Sequence, residues 1–164
     1  MINQQDLLGN TALNSAIERG NLDAVLLLLN RGADMTVKNK NHLAAIHQCI
    51  ITNQPKLLEM ILTDYPQTDI NLGGENGMGA LHYCAYGNNL DCAKILLKHN
   101  VQVCQPCNNG FYPIHIAAQN SSNAVLELLF EHGSKLGCSR LNMISYLDGD
   151  NNKPYVFLIS LINL

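Results

Sequence analysis

The residues best suited to chemistry are three histidines, His47, His82 and His115, and a Cys104-x-x-Cys107 pair. A row of histidines could bind metal or move protons, and a Cys-x-x-Cys pair could seed a zinc site or a redox dithiol. The histidines lie 35 and 33 residues apart, one to each of three similar stretches. Side chains a whole structural unit apart cannot share a metal whose ligand bonds are about 2 Å long. Each ring is instead expected to bond backbone groups at a helix start and tie one unit to the next. The cysteine pair has no second pair to complete a four-ligand zinc site, and it does not sit at a strand-to-helix turn as a redox dithiol would. No phosphate loop, nucleophile elbow, paired-carboxylate arrangement or zinc-helix motif is present. Asp148-Gly149-Asp150 lacks the twelve-position calcium loop. The sequence predicts no enzyme, no cofactor and no metal.

The elements that position these residues are repeats. The histidine stretches are Ala44-Ala45-Ile46-His47, Gly79-Ala80-Leu81-His82 and Gly110-Phe111-Tyr112-Pro113-Ile114-His115, and Gly9-Asn10-Thr11-Ala12-Leu13-Asn14 is an earlier copy with asparagine in place of histidine. Leu13, Ile46, Leu81 and Ile114 are spaced 33, 35 and 33 residues apart. A period near 33 with this tetrapeptide resembles the ankyrin repeat. The implied fold is an all-α ankyrin-repeat solenoid of helix-turn-helix units with β-hairpin fingers, holding four repeats and an incomplete fifth.

Repeats are expected over about 5–38, 39–72, 73–105 and 106–138, completing a repeat domain at 1–147 with its closing linker. Each has a short first helix (Leu13, Ala16, Ile17 in the first) and a second helix (Val25, Leu26, Leu28, Leu29) after a turn such as Gly20-Asn21. The second repeat ends irregularly at Tyr65-Pro66, which accounts for its two extra residues. Residues 148–164 read as the start of an aborted fifth repeat whose tail, Tyr155 to Leu164, is apolar and uncharged. That is the opposite of the polar cap a solenoid end needs.

Composition bounds the function further. Of 164 residues, 47% are apolar and only 14% charged, with 13 acidic and 10 basic residues giving a net charge of −3. That balance argues against a nucleic-acid footprint. Six cysteines are scattered through the repeats and Met1-Ile2-Asn3-Gln4-Gln5 has no signal-peptide pattern, which points to free thiols in a reducing cytoplasm. No run of 18 apolar residues is present to span a membrane.

Binding is what such an architecture offers. The expected protein-interaction surface comprises Arg19, Tyr83, Tyr86 and Gln119 on the first helices, with Lys40, His42, Glu75, Asn76, Asn108 and Asn109 on the finger tips. Tyr83, Tyr86 and Ile116 are expected to form a small apolar–aromatic group of the kind that dominates interfaces. Cys49, Cys84 and Cys92 lie on apolar faces and read as core residues. Cys104, Cys107 and Cys138 are the candidate modifiable thiols.

Two fingers carry a closer resemblance. Thr68-Asp69-Ile70-Asn71-Leu72-Gly73-Gly74-Glu75-Asn76-Gly77 and Val103-Cys104-Gln105-Pro106-Cys107-Asn108-Asn109-Gly110-Phe111-Tyr112-Pro113-Ile114-His115 resemble consecutive fingers of the ankyrin-type transient receptor potential cation channels, and the linker ending in Asn151-Asn152-Lys153-Pro154 follows the same order. In that family an amino-terminal ankyrin stack hangs in the cytoplasm below a tetrameric, calcium-permeable channel responsive to temperature and electrophilic irritants. The resemblance places Cys104 at a cysteine of the family's finger, whereas Phe111 departs from a position that can also be cysteine there. It implies a fragment or short product of such a gene, working at the cytoplasmic face of the plasma membrane through contacts with the rest of a channel subunit or other proteins. The alternative is a free-standing ankyrin adaptor or inhibitor binding a soluble protein.

Overall fold

The computed structural model describes residues 1–135; the expected fifth repeat, its apolar tail and Cys138 lie outside them. Among the described residues eight α-helices follow in pairs: α1 (Ala12–Glu18), α2 (Leu22–Asn30), α3 (Ala45–Ile51), α4 (Pro55–Asp64), α5 (Ala80–Gly87), α6 (Leu90–Lys98), α7 (Pro113–Gln119) and α8 (Asn123–Lys135). The first helices α1, α3, α5 and α7 pack in one row, and α4, α6 and α8 pack in a second row beside it.

The reason is the same in every pair. A helix of seven or eight residues is too short to be stable alone in water, so its apolar stripe must be buried by the next unit. Leu13, Ile17, Ile50, Leu58, Ile61, Leu81, Leu96, Leu126 and Leu129 form one continuous core along the stack. Cys49, Cys84 and Cys92 sit fully inside it as small apolar residues.

Each unit turns from first to second helix through one left-handed residue: Gly20, Asn53, Asn88 or Ser121, with φ of 65°, 51°, 53° and 55°. Glycine and asparagine are the residues that tolerate this conformation best. The helix pairs are also tied across units here. The side-chain amide of Gln54 donates to the carbonyl of Ile17, and that of Asn89 donates to the carbonyl of Ile50 at 2.6 Å. Both acceptors are carbonyls near the end of a first helix, and each also takes a backbone N–H of its turn, from Gly20 and Asn53 respectively, at 2.9 Å.

The fingers differ from the expected β-hairpins. Among the described residues there is no β-strand. Each finger is a turn closed by two backbone bonds: the N–H of Asp6, Asn39, Gly74 or Cys107 donates to the carbonyl of Asn10, Leu43, Met78 or Phe111 at 2.8–3.0 Å, and its own carbonyl accepts from the N–H of Gly9, His42, Gly77 or Gly110 at 2.9–3.2 Å. Gly9, Gly77 and Gly110 hold a left-handed φ at the fourth position of this turn, and in the second finger His42 holds it, with φ 59°.

Candidate protein-interaction surface

The three histidines are built into the stack. The Ala44 N–H donates to His47 Nδ1 (3.1 Å), the Gly79 N–H to His82 Nδ1 (3.1 Å) and the Tyr112 N–H to His115 Nδ1 (3.0 Å). Each ring thereby satisfies a backbone donor at the start of its own helix, the task an N-cap side chain usually performs. In the first unit Thr11 does this instead, accepting from the Asn14 N–H at 3.3 Å.

Because Nδ1 accepts, the neutral ring carries its proton on Nε2. His47 Nε2–H then donates to the Leu72 carbonyl (2.8 Å) and His82 Nε2–H to the Phe111 carbonyl (2.9 Å), each in the following finger. A doubly protonated ring would set Nδ1–H against a backbone N–H. Burial pushes His47 and His82 below their ordinary value of 6.5, opposed by the bonds to the finger carbonyls. Both rings are buried. They are staples, with no lone pair left for a metal or a substrate.

Arg19, Lys40, His42, Glu75, Asn76, Tyr86, Asn108, Asn109 and Gln119 all lie exposed, on first helices or finger tips. Tyr83 does not, and its expected place on the surface is corrected. It is only 8% exposed. Its ring packs on His47 at a centroid distance of 5.1 Å, and its hydroxyl accepts the Glu75 N–H at 2.9 Å. The long side chain bends from α5 under the tip of its own finger and fills the space there. A Cβ on Gly74 would come within 2.4 Å of that hydroxyl. Ile116 is half-buried against the core, so the expected Tyr83–Tyr86–Ile116 group does not form.

A different pair takes its place. Glu18, Ile51, Tyr86 and Gln119 occupy the same register position, 33, 35 and 33 residues apart, near the ends of α1, α3, α5 and α7. Ile51 is 46% exposed and Tyr86 69% exposed, on adjacent packed helices. The column therefore reads acidic, aliphatic, aromatic, amide, with an apolar centre and polar ends. An exposed apolar pair flanked by polar residues thus lies along the ends of the first helices. Ile51 was hidden among the apolar residues of its helix, yet the register gave a signal: the equivalent residue in the first and last units is polar.

The thiols are corrected as well. Cys107 is buried, 6% exposed, with its N–H bonded to the Phe111 carbonyl in the finger turn. Cys104 is exposed but disulfide-bonded, so it presents no free thiol. Burial pushes the Cys49 thiol up to about 12 and Cys92 to about 11, and raises Cys84, so the core cysteines stay protonated and unreactive. Among the described residues no group of three or more histidine, cysteine or acidic side chains is placed to hold a metal.

A family model described as ankyrin repeats (3 copies) matches residues 1–73 and again 46–139. The chain is 30% identical over 154 residues to the transient receptor potential cation channel subfamily A member 1 of Homo sapiens, a match covering 94% of the chain and 14% of that protein. It is 46% identical over 88 residues to the Drosophila melanogaster protein of the same name, over 52% of the chain and 7% of that protein. Inversin of Mus musculus is 32% identical over 119 residues, covering 73% of the chain and 11% of inversin. The chain thus spans about a seventh or less of the length of these relatives, and the resemblance seen in the two fingers is met by the first two matches. On the family model, the paired helices and the stapled fingers together, the chain belongs to the ankyrin-repeat family.

Proposed function

We propose that this chain is a non-catalytic protein-interaction scaffold of the kind that forms the cytoplasmic ankyrin stack of a subfamily A transient receptor potential channel. The observation that carries the interaction role is the exposed Ile51–Tyr86 pair at the centre of a polar column on the first helices. An apolar pair of this kind gains most when a partner covers it and the polar rim excludes water. The matches to two subfamily A channels support the channel context. Among the described residues no helix is long and apolar enough to cross a membrane, so ion conduction belongs to other parts of such a channel. Calcium permeation, sensory gating and a place at the plasma membrane follow from that context. The partner surface is protein, either another cytoplasmic segment of the channel subunit or a protein docked on it.

Calorimetric titration of the full chain with purified cytoplasmic segments of the Drosophila channel tests this. Saturable binding, with a photo-crosslinker at position 86 joining the two, supports the reading. No binding to any such segment would overturn the channel context, and binding that never crosslinks through position 86 would overturn the site.

A further inference from the structure

The junctions between successive fingers are not alike. Between the first and second fingers, the Lys40 N–H donates to the Leu8 carbonyl (3.0 Å) and the Asp34 N–H to Asn3 Oδ1 (2.8 Å). The Asn39 amide adds a bond to Asn10 Oδ1 (2.9 Å). Between the third and fourth fingers the same two rungs recur: Asn108 N–H to the Asn76 carbonyl (2.9 Å) and Gln102 N–H to Asn71 Oδ1 (2.9 Å).

At the middle junction both rungs are missing. The repeat register assigns Glu75 N–H to the Asn41 carbonyl, but it donates to Tyr83 Oη instead. The position held by Asn3 and Asn71 is Thr36 here, and its hydroxyl turns back onto Asp34 at 2.7 Å. Nothing replaces the rung: Thr68 Oγ1 lies 3.8 Å from the Met35 sulfur, but its proton goes to the Tyr65 carbonyl at 2.7 Å. A cleft lined by Met35, Thr36, Ile46, Thr68 and Leu72 opens at the same place. The helices on either side remain packed, α3 on α5 and α4 on α6.

We propose that the stack bends at the junction between its second and third units, with Tyr83 as the latch that keeps the fingers apart. The packed helices form the hinge line, and the finger edges on the far side open and close. Closing transfers the Glu75 N–H from the Tyr83 hydroxyl to the Asn41 carbonyl, a one-for-one exchange of acceptors that leaves no backbone donor unpaired. Opening widens the cleft and tilts the third and fourth units, as a block, away from the first and second. Ile51 and Tyr86 lie on the packed helices of the hinge line, so the exposed pair keeps its spacing while the fingers move.

Residual dipolar couplings on the full chain read this directly, with amide exchange alongside. In the wild type, units one and two should require a different alignment tensor from units three and four, and the Asp69 amide, which lacks the rung acceptor, should exchange about tenfold faster than that of Gln102. Thr36→Asn, which restores the missing acceptor, should merge the two tensors. Tyr83→Phe should merge them too, with the Glu75 amide still protected by the Asn41 carbonyl. A single shared tensor in the wild type overturns the hinge. Tensors unmoved in both variants, or an unprotected Glu75 amide in Tyr83→Phe, overturn the latch.

Discussion

His47 Nε2 lies 2.8 Å from the carbonyl oxygen of Leu72, a residue in the next finger and 25 positions along the chain. Its other ring nitrogen takes the Ala44 N–H of its own helix start. One side chain thus joins a local cap to a contact between units, and His82 repeats the arrangement with Gly79 and Phe111. Replacing His82 with alanine leaves a helix-start N–H and a finger carbonyl without partners. Each unmet group costs roughly 1–3 kcal/mol, so a loss of about 3 kcal/mol is expected in guanidinium unfolding. The loss should fall chiefly on units three and four, as amide exchange would show.

Acid should loosen the same joints. His47 and His82 have folded values below the ordinary 6.5, so between those values and 6.5 the unfolded chain binds more protons than the folded one. Their contribution is complete above about pH 6.5 and is lost as pH falls towards the depressed values. The limiting slope is about 1.4 kcal/mol per pH unit for each histidine. Unfolding free energies measured across pH 7.5 to 5 should therefore decline, and the decline should be smaller in His82→Gln.

His42 holds a left-handed φ of 59° where three other fingers have glycine. A side chain there costs roughly 1–2 kcal/mol against about 0.5–1 kcal/mol of added chain entropy for glycine. His42→Gly should accordingly raise the unfolding free energy by about 0.5–1 kcal/mol, seen as a shift in denaturant midpoint at constant slope.

Cys49, Cys84, Cys92 and Cys107 are all buried. Limited alkylation of the native chain followed by mass spectrometry should leave all four unlabelled, with modification appearing only at the rate of unfolding. Prompt labelling of Cys107 in the folded chain would contradict its burial in the finger turn.

The repeat, the order of helices and the role of the histidines are legible in the residues, because a unit that cannot bury its own stripe must repeat its pattern at a fixed period. Tyr83 was not legible. Its register mates Ser15, Gln48 and Ile116 stay half-buried at the same position, whereas tyrosine is long enough to reach a finger tip that only the folded turn Gly74–Met78 brings within range. Ile51 hid for the opposite reason: an isoleucine in a helix reads as core, and only its alignment with Glu18, Tyr86 and Gln119 shows it facing outward. The burial of Cys107 depends on a turn bond to Phe111 that spacing alone does not reveal.

The decisive measurement is the affinity of an Ile51→Ser/Tyr86→Ala double variant for a channel segment that binds the wild-type chain. Both residues are exposed, so the fold should survive, with an unfolding midpoint within about 0.5 kcal/mol of wild type. Affinity should fall by at least about 30-fold, since each central apolar contact is worth roughly 1 kcal/mol or more. Unchanged affinity in the folded double variant would contradict the claim that this column is the contact surface.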